Sequence, residues 1–207
     1  MSEVRLITIT PDTEKNIMYM ARVSNPKNQN SENTKLIDFC IKNQHWSIFE
    51  MSNMVVEINT SRAISAQILR HRSFSFQEYS QRYSPVQSCE LYEARSQDTK
   101  NRQNSIDDMD QTDKDWFQDA QLFIQDQAHE LYKDALTRGI AKEQARFLLP
   151  MSASTKLYMN GTIRSWITYL MLRLGNGTQL EHREIARKIR AIFCKELPII
   201  SEALGWK

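Results

Sequence analysis

Val4 to Thr10 alternates apolar and polar residues and predicts a strand, as does the β-branched run Met54 to Asn59. Between them, Thr10-Pro11-Asp12 opens a helix through Ala21. Asn33 caps a second, Thr34 to Asn43, with Leu36, Ile37, Phe39, Cys40 and Ile41 on its inner side. Ser61 caps a helix from Arg62 to about His71, and an irregular or extended run follows to Pro85. Arg95 to Asp113 is polar with almost nothing apolar and predicts a mobile surface loop. Asp113 starts a long amphipathic helix on which Phe117, Ala120, Ile124, Ala128, Leu131 and Ala135 recur at helical spacing, and Gly139 stops it. A short helix, Lys142 to Leu148, ends before Pro150, and Ser154 to Met159 reads as a short strand or a turn. Thr162 to Leu174 is helical with a buried stripe of Ile163, Trp166, Ile167, Leu170, Met171 and Leu174. A last helix, Leu180 to Glu196, turns Ile185, Ile189, Ile192 and Phe193 inward. Helices dominate without regular βαβ alternation, so the pattern predicts an α+β fold: one helix-rich domain over residues 1–207 with a small mixed sheet.

Composition narrows the function by what it lacks. The five glycines, Gly139, Gly161, Gly175, Gly177 and Gly205, permit neither G-x-x-x-x-G-K-[ST] nor G-x-G-x-x-G. A nucleotide bound here must therefore have its phosphates held by side chains or helix ends. The net charge of +2 is too small to suggest a general nucleic-acid binder. Fifteen Arg stand against twelve Lys, and Arg is the better planar, bidentate partner of phosphate. Cys40, Cys89 and Cys194 are widely spaced and odd in number, which argues against a disulfide framework and predicts a reducing, cytoplasmic setting. Neither a signal peptide nor a membrane span is predicted. No metal site is expected: His129-Glu130 lacks the second His of H-E-x-x-H, and His182-Arg183-Glu184 lacks the deaminase P-C-x-x-C.

The chemistry concentrates in Arg62 to Arg82, RAISAQILRHRSFSFQEYSQR, with four Arg, one His, no Lys and one acid, Glu78. Gln67, Arg70 and His71 are expected to share a helical face, with Leu69 turned away. A solvated helix end would mix Lys with acids; here polar donors alternate with Phe74, Phe76, Tyr79 and Tyr83 instead. Donors fix phosphates and base edges, and aromatics cover flat rings.

This segment resembles the signature of flavin-dependent thymidylate synthases: Arg70-His71-Arg72, seven residues, then Ser80, with Arg82-Tyr83-Ser84 beyond. The similarity extends along most of the chain, through Ala21-Arg22-Val23-Ser24, HWSIFE (His45 to Glu50), EQARFLLP (Glu143 to Pro150), Arg164-Ser165 and Leu172-Arg173. The resemblance implies methylation of dUMP to dTMP, with methylenetetrahydrofolate as carbon donor, FAD as hydride carrier and NADPH as reductant. It also implies a homotetramer with active sites where subunits meet. By position it assigns dUMP to Gln67, Arg70, Glu78, Tyr79, Ser80, Gln81, Arg82, Arg146 and Arg173. FAD falls to Asn53, Arg70, His71, Arg72, Glu78, Thr162, Arg164 and Thr168. Arg173 matches the residue that stabilises negative charge on the uracil ring, and Ser80 is expected to position substrate rather than attack it. Arg164 and Arg173 should point about 180° apart around one helix.

The chain departs from the family where Gln77 replaces Asn, Ile48 replaces Pro, Met51 replaces His, and Gly175-Asn176-Gly177 replaces a loop that commonly carries His. Two readings remain beside the first. One is a pyrimidine-nucleotide hydroxymethylating relative. The other is a single-stranded nucleic-acid binder using Arg and aromatics.

Overall fold

A computed structural model describes residues 2–86 and 88–206. At its centre two long strands, β2 (Asn53–Ser61) and β6 (Ser154–Thr162), pair antiparallel along their whole length, from Asn53↔Thr162 to Ser61↔Ser154. β1 (Glu3–Ile9) lies outside β2, and β3 (Ser75–Glu78) lies outside β6, giving the order β1-β2-β6-β3. Every pairing is antiparallel. The expected mixed sheet is thus corrected: with strands feeding helices at both ends, no parallel crossover is required. The segment read as a short strand or a turn is the nine-residue β6, flanked on both sides.

Alternation decides which face of the sheet is buried. Met54, Val56 and Ile58 of β2 sit opposite Gly161, Met159 and Leu157 of β6, all inaccessible to solvent or nearly so. Helices cover that face: α1 (Thr13–Ala21), α2 (Lys35–Lys42), α3 (Arg62–Ile68), α6 (Ile163–Arg173), α7 (Leu180–Glu196) and α8 (Pro198–Ala203). The opposite face carries Glu57, which bonds Arg5 at 3.2 Å and Lys156 at 3.4 Å. Hydrogen bonding from Tyr158, with the two cations, holds the Glu57 carboxyl below its ordinary pKa despite burial.

α3 and α6 grow directly from the ends of β2 and β6, so the antiparallel register sends them off from opposite ends of the sheet. The chain after α3 must then travel back before β3 pairs Ser75 with Asn160. That return path lays the Arg70-His71-Arg72 turn against the C-terminal end of α6, where Arg173 meets His71, and brings Ser73 to its start, where Ser165 Oγ donates to Ser73 O at 3.1 Å. Trp166 Nε1 donates to Met54 O at 2.9 Å and locks α6 onto the sheet. Phe74 seats against Trp166 and Tyr169 over Gly161, where a Cβ would lie 2.4 Å from two ring carbons, so only glycine admits the ring.

Local differences from the pattern have identifiable causes. α3 stops at Ile68, so Gln67, Arg70 and His71 do not share a helical face; Arg70 and His71 lie in the turn beyond it. Ser61 makes no side-chain cap and instead accepts from Tyr92 Oη. Phe39 and Met171, assigned inward by periodicity, are exposed, whereas Tyr169 is buried. The polar stretch after Arg95 folds into a hairpin of β4 (Ser96–Gln97) and β5 (Ser105–Ile106). Its polar side chains bond their own backbone: Asp98 accepts from Lys100 N at 2.8 Å and Asn101 N at 3.1 Å. α4 (Gln111–Thr137) is capped by Asp110, one turn earlier than expected, and ends where Gly139 takes φ +81°. α5 (Lys142–Ala145) follows.

Candidate active site

The Arg-His-Arg turn meets the C-terminal end of α6. Arg173 Nε donates to His71 Nε2 at 2.8 Å, so that imidazole nitrogen must be unprotonated. Burial, then the neighbouring Arg173 charge, pulls His71 down to a pKa of about 4. Below the ring lies an aromatic shelf. Tyr169 stands edge-on at 4.8 Å between ring centroids, and Phe74 and His182 flank it at 6.3 and 6.2 Å.

A second group joins three elements. Gln67 Nε2 donates to Gln179 Oε1, and Gln179 Nε2 donates to Glu181 Oε2 at 2.8 Å. Glu181 accepts from Arg95, whose Nε also reaches Ser105 Oγ at 2.9 Å. The hairpin is thereby tied to α7 and, through Gln67, to α3. A cavity of about 570 Å³ lies beside this network, with Tyr92, Arg95, Trp116, Gln179 and Glu181 among its walls.

The remaining predicted residues are spread around these two groups. Glu78 is committed within the chain, accepting from Arg62 at 2.7 Å and Thr155 at 3.0 Å as well as from Ser65. Tyr79 Oη donates to Pro85 O at 2.8 Å. Ser80 heads a turn whose Tyr83 and Ser84 amides bond its carbonyl, and its Oγ accepts from Arg82 N at 3.4 Å. His71, the nearest imidazole in sequence, is engaged with Arg173 instead. Gln81 is buried with its Nε2 unpartnered. Arg82 pairs with Glu143 at 3.2 Å.

At the Thr162 end of the sheet, Asn53 faces Thr162 across the β2–β6 register. Thr162 Oγ1 caps α6 by accepting from Ser165 N at 3.1 Å, Thr168 Oγ1 donates to Arg164 O at 3.1 Å, and Arg164 pairs with Glu50. Arg164 and Arg173 do reach different partners, Glu50 and His71. Among the described residues Arg70, Arg72 and Arg146 have no carboxylate partner, and no hydrogen bond or ion pair joins Arg146 to another predicted site residue. Guanidinium groups without an internal acceptor, with an orphaned buried amide at Gln81, form a donor set suited to phosphates and carbonyl edges. Among the described residues no three His, Cys, Asp or Glu side chains converge as metal ligands would.

The family model described as thymidylate synthase complementing protein matches residues 5–199. A flavin-dependent thymidylate synthase of Synechocystis sp. is 56% identical over 190 residues, covering 92% of this chain and 88% of that protein. The chain belongs to the flavin-dependent thymidylate synthase family. A probable flavin-dependent thymidylate synthase of Paramecium bursaria Chlorella virus 1 is 52% identical, covering 93% of this chain and 91% of its own. In fold, a UMP/dUMP methylase from Streptomyces cacaoi superimposes with a TM-score of 0.89 at 24% identity, over 99% of this chain and 95% of that one.

Gln179, Glu181 and Tyr169 have no part in the sequence expectations for this flavin-dependent thymidylate synthase, and His182 has one only as a zinc-ligand candidate set aside. Tyr169 carried a signal, since it precedes Arg173 by one helical turn. Gln179, Glu181 and Arg95 carried none, because their meeting depends on where the hairpin docks. Of the departures, Met51, Gln77 and Gly175 to Gly177 are exposed, whereas Ile48 is half-buried against the core.

Proposed function

We propose that this flavin-dependent thymidylate synthase converts dUMP to dTMP, taking the carbon from methylenetetrahydrofolate and the reducing equivalents from NADPH, with FAD as its flavin. The observation that carries the reading is Arg173 held by neutral His71 at 2.8 Å. A guanidinium fixed through one nitrogen keeps its other N–H groups free for a pyrimidine edge. Charge that develops on the uracil ring when C5 becomes nucleophilic is then met by a donor that needs no reorganisation. Gln67, Arg70, Tyr79, Ser80, Gln81, Arg82 and Arg146 are the residues for the nucleotide. The orphaned Gln81 amide suits a carbonyl, and Arg70 and Arg146 suit a phosphate. Asn53, His71, Arg72, Thr162, Arg164 and Thr168 are the residues for FAD, of which Arg72 is a cation without an internal partner. FAD when bound supplies hydride transfer; the chain supplies binding, orientation and electrostatics.

Purified protein is expected to be yellow, absorbing near ~450 nm as oxidised flavoproteins do, and to form dTMP from dUMP, NADPH and the folate. Colourless protein that fails to take up FAD and instead retains oligonucleotide would overturn the reading in favour of a single-stranded nucleic-acid binder. A hydroxymethylated product would assign the related chemistry.

Ser80 serves as a positioning group, because its Oγ accepts from a backbone amide and, among the described residues, no hydrogen bond joins it to a base. Ser80→Ala is expected to raise the dUMP dissociation constant about tenfold while substrate still oxidises the reduced flavin. Loss of that half-reaction with normal dUMP affinity would make Ser80 a nucleophile.

The active unit in this reading is a homotetramer. Supporting it, Trp116, Phe123, Ile124 and Leu131 of α4 are exposed, as are Phe147 and Met151 further along the chain, and large exposed apolar side chains are what subunit interfaces cover. Light scattering is expected to give a mass of four 24.3 kDa chains, and a monomer mass would remove the shared-site reading. No described helix is long and apolar enough to cross a membrane, and the three free cysteines are consistent with the reducing cytoplasm proposed as its setting.

A further inference from the structure

His182 lies in the first turn of α7 with no solvent exposure, and Tyr169 is 1% exposed on α6. Their side chains bond each other, Tyr169 Oη to His182 Nε2 at 3.0 Å. His182 Nδ1 has no partner. A buried polar pair that leaves one nitrogen unsatisfied is less stable than an apolar pair of the same shape. Its position indicates what it does instead. Tyr169 and Arg173 share a face of α6, and the His71 ring is wedged between them, edge-on to Tyr169 and to His182 and bonded to Arg173.

We propose that Tyr169 and His182 are positioning residues of this flavin-dependent thymidylate synthase, acting through His71 to aim the Arg173 guanidinium. The pair sets the plane of the His71 ring, and that plane sets the direction of the Nε2 lone pair that holds Arg173. The groups packed against His71 are Tyr169 and Arg173 from α6, His182 from α7 and Phe74 from its own loop. None is a carboxylate, so nothing here favours an imidazolium, and the shelf stays neutral. An ion pair in its place would hold His71 protonated, and a protonated Nε2 could not accept from Arg173.

This inference rests on the role proposed for Arg173, and two variants test it. Tyr169→Phe removes the hydroxyl and leaves His182 with neither nitrogen bonded. Tyr169→Phe/His182→Leu removes both polar groups and the orphan with them, so it should melt at the same temperature as the single variant or higher. Both are expected to retain flavin and to turn over dUMP about ten- to hundredfold more slowly, with a smaller change in the dUMP dissociation constant measured by calorimetry. A packing role predicts that activity returns along with stability. A double variant whose turnover is within about twofold of the wild-type protein would therefore overturn the inference. Equal losses from Tyr169→Phe in wild-type and Arg173→Ala backgrounds would also overturn it, because an effect exerted through Arg173 vanishes once Arg173 is gone. Wild-type protein that neither binds nor converts dUMP would refute the proposed function first, and the positioning role with it.

Discussion

Replacing Arg173 with alanine is expected to lower dUMP turnover by about 10²–10³-fold, the loss typical of removing a preorganised donor to a developing anion. The loss should fall mainly on kcat, because the charge on the pyrimidine is small in the ground state and grows toward the transition state. His71 would lose the N–H donor its Nε2 now accepts. Arg173→Lys is expected to recover only part of the rate. A single ammonium cannot bond His71 and span a ring edge with the planar fork that a guanidinium offers. Steady-state kinetics with calorimetric dUMP binding separate these terms. An alanine variant within about tenfold of the wild-type rate would show that the anion is stabilised elsewhere. At working pH the His71–Arg173 bond is intact, since His71 accepts a second proton only near pH 4.

Glu181→Ala is expected to be the most destabilising single change in the site, at ~3 kcal/mol, because it strands a buried guanidinium. The Arg95 and Glu181 side chains are 11% and 14% exposed, and Glu181 also holds Gln179, which holds Gln67. The melting temperature should fall by roughly 6–12 °C for a chain of this size, and dUMP affinity should weaken as Gln67 loses its anchor. Glu181→Gln, which keeps an acceptor without the charge, should lose less. Burial alone would raise the Glu181 pKa; hydrogen bonds from Arg95, its own backbone N–H and Gln179, with the Arg95 charge, outweigh it and hold the carboxyl below its ordinary value. A carboxyl whose pKa falls on folding stabilises the protein above the unfolded-state value, and the contribution fades as pH drops through the lowered folded value. The gap between wild type and Glu181→Ala should thus be full at pH 7 and close only below about pH 4. A gap that stays constant down to pH 3 would show that the ion pair is not its source.

The α+β character, the extents of α1, α2 and α7, and the Arg-His-Arg segment were legible in the chain because each rests on local period or on a contiguous motif. Leu180 to Glu196 was read to the residue, since from Ile185 to Phe193 one face of that helix is apolar while the other is charged. Burial was read less well away from the sheet. Phe39, Met171 and much of α4 keep helical periodicity yet lie in the open, because periodicity sets which side chains share a face and not what packs on it.

The sequence by itself therefore determined the family and the residue types that can hold phosphates without a glycine cradle, because both are properties of order along the chain. Tertiary structure alone decided that β2 and β6 are equal antiparallel partners, and so where the Arg-His-Arg turn lands. It decided that a polar stretch becomes a hairpin docked through Arg95 on Glu181, and that His71 and Arg173, about a hundred residues apart, share one hydrogen bond above a buried Tyr169–His182 pair. Those outcomes depend on closing long loops around one packed core, and no local pattern of side chains encodes the closure.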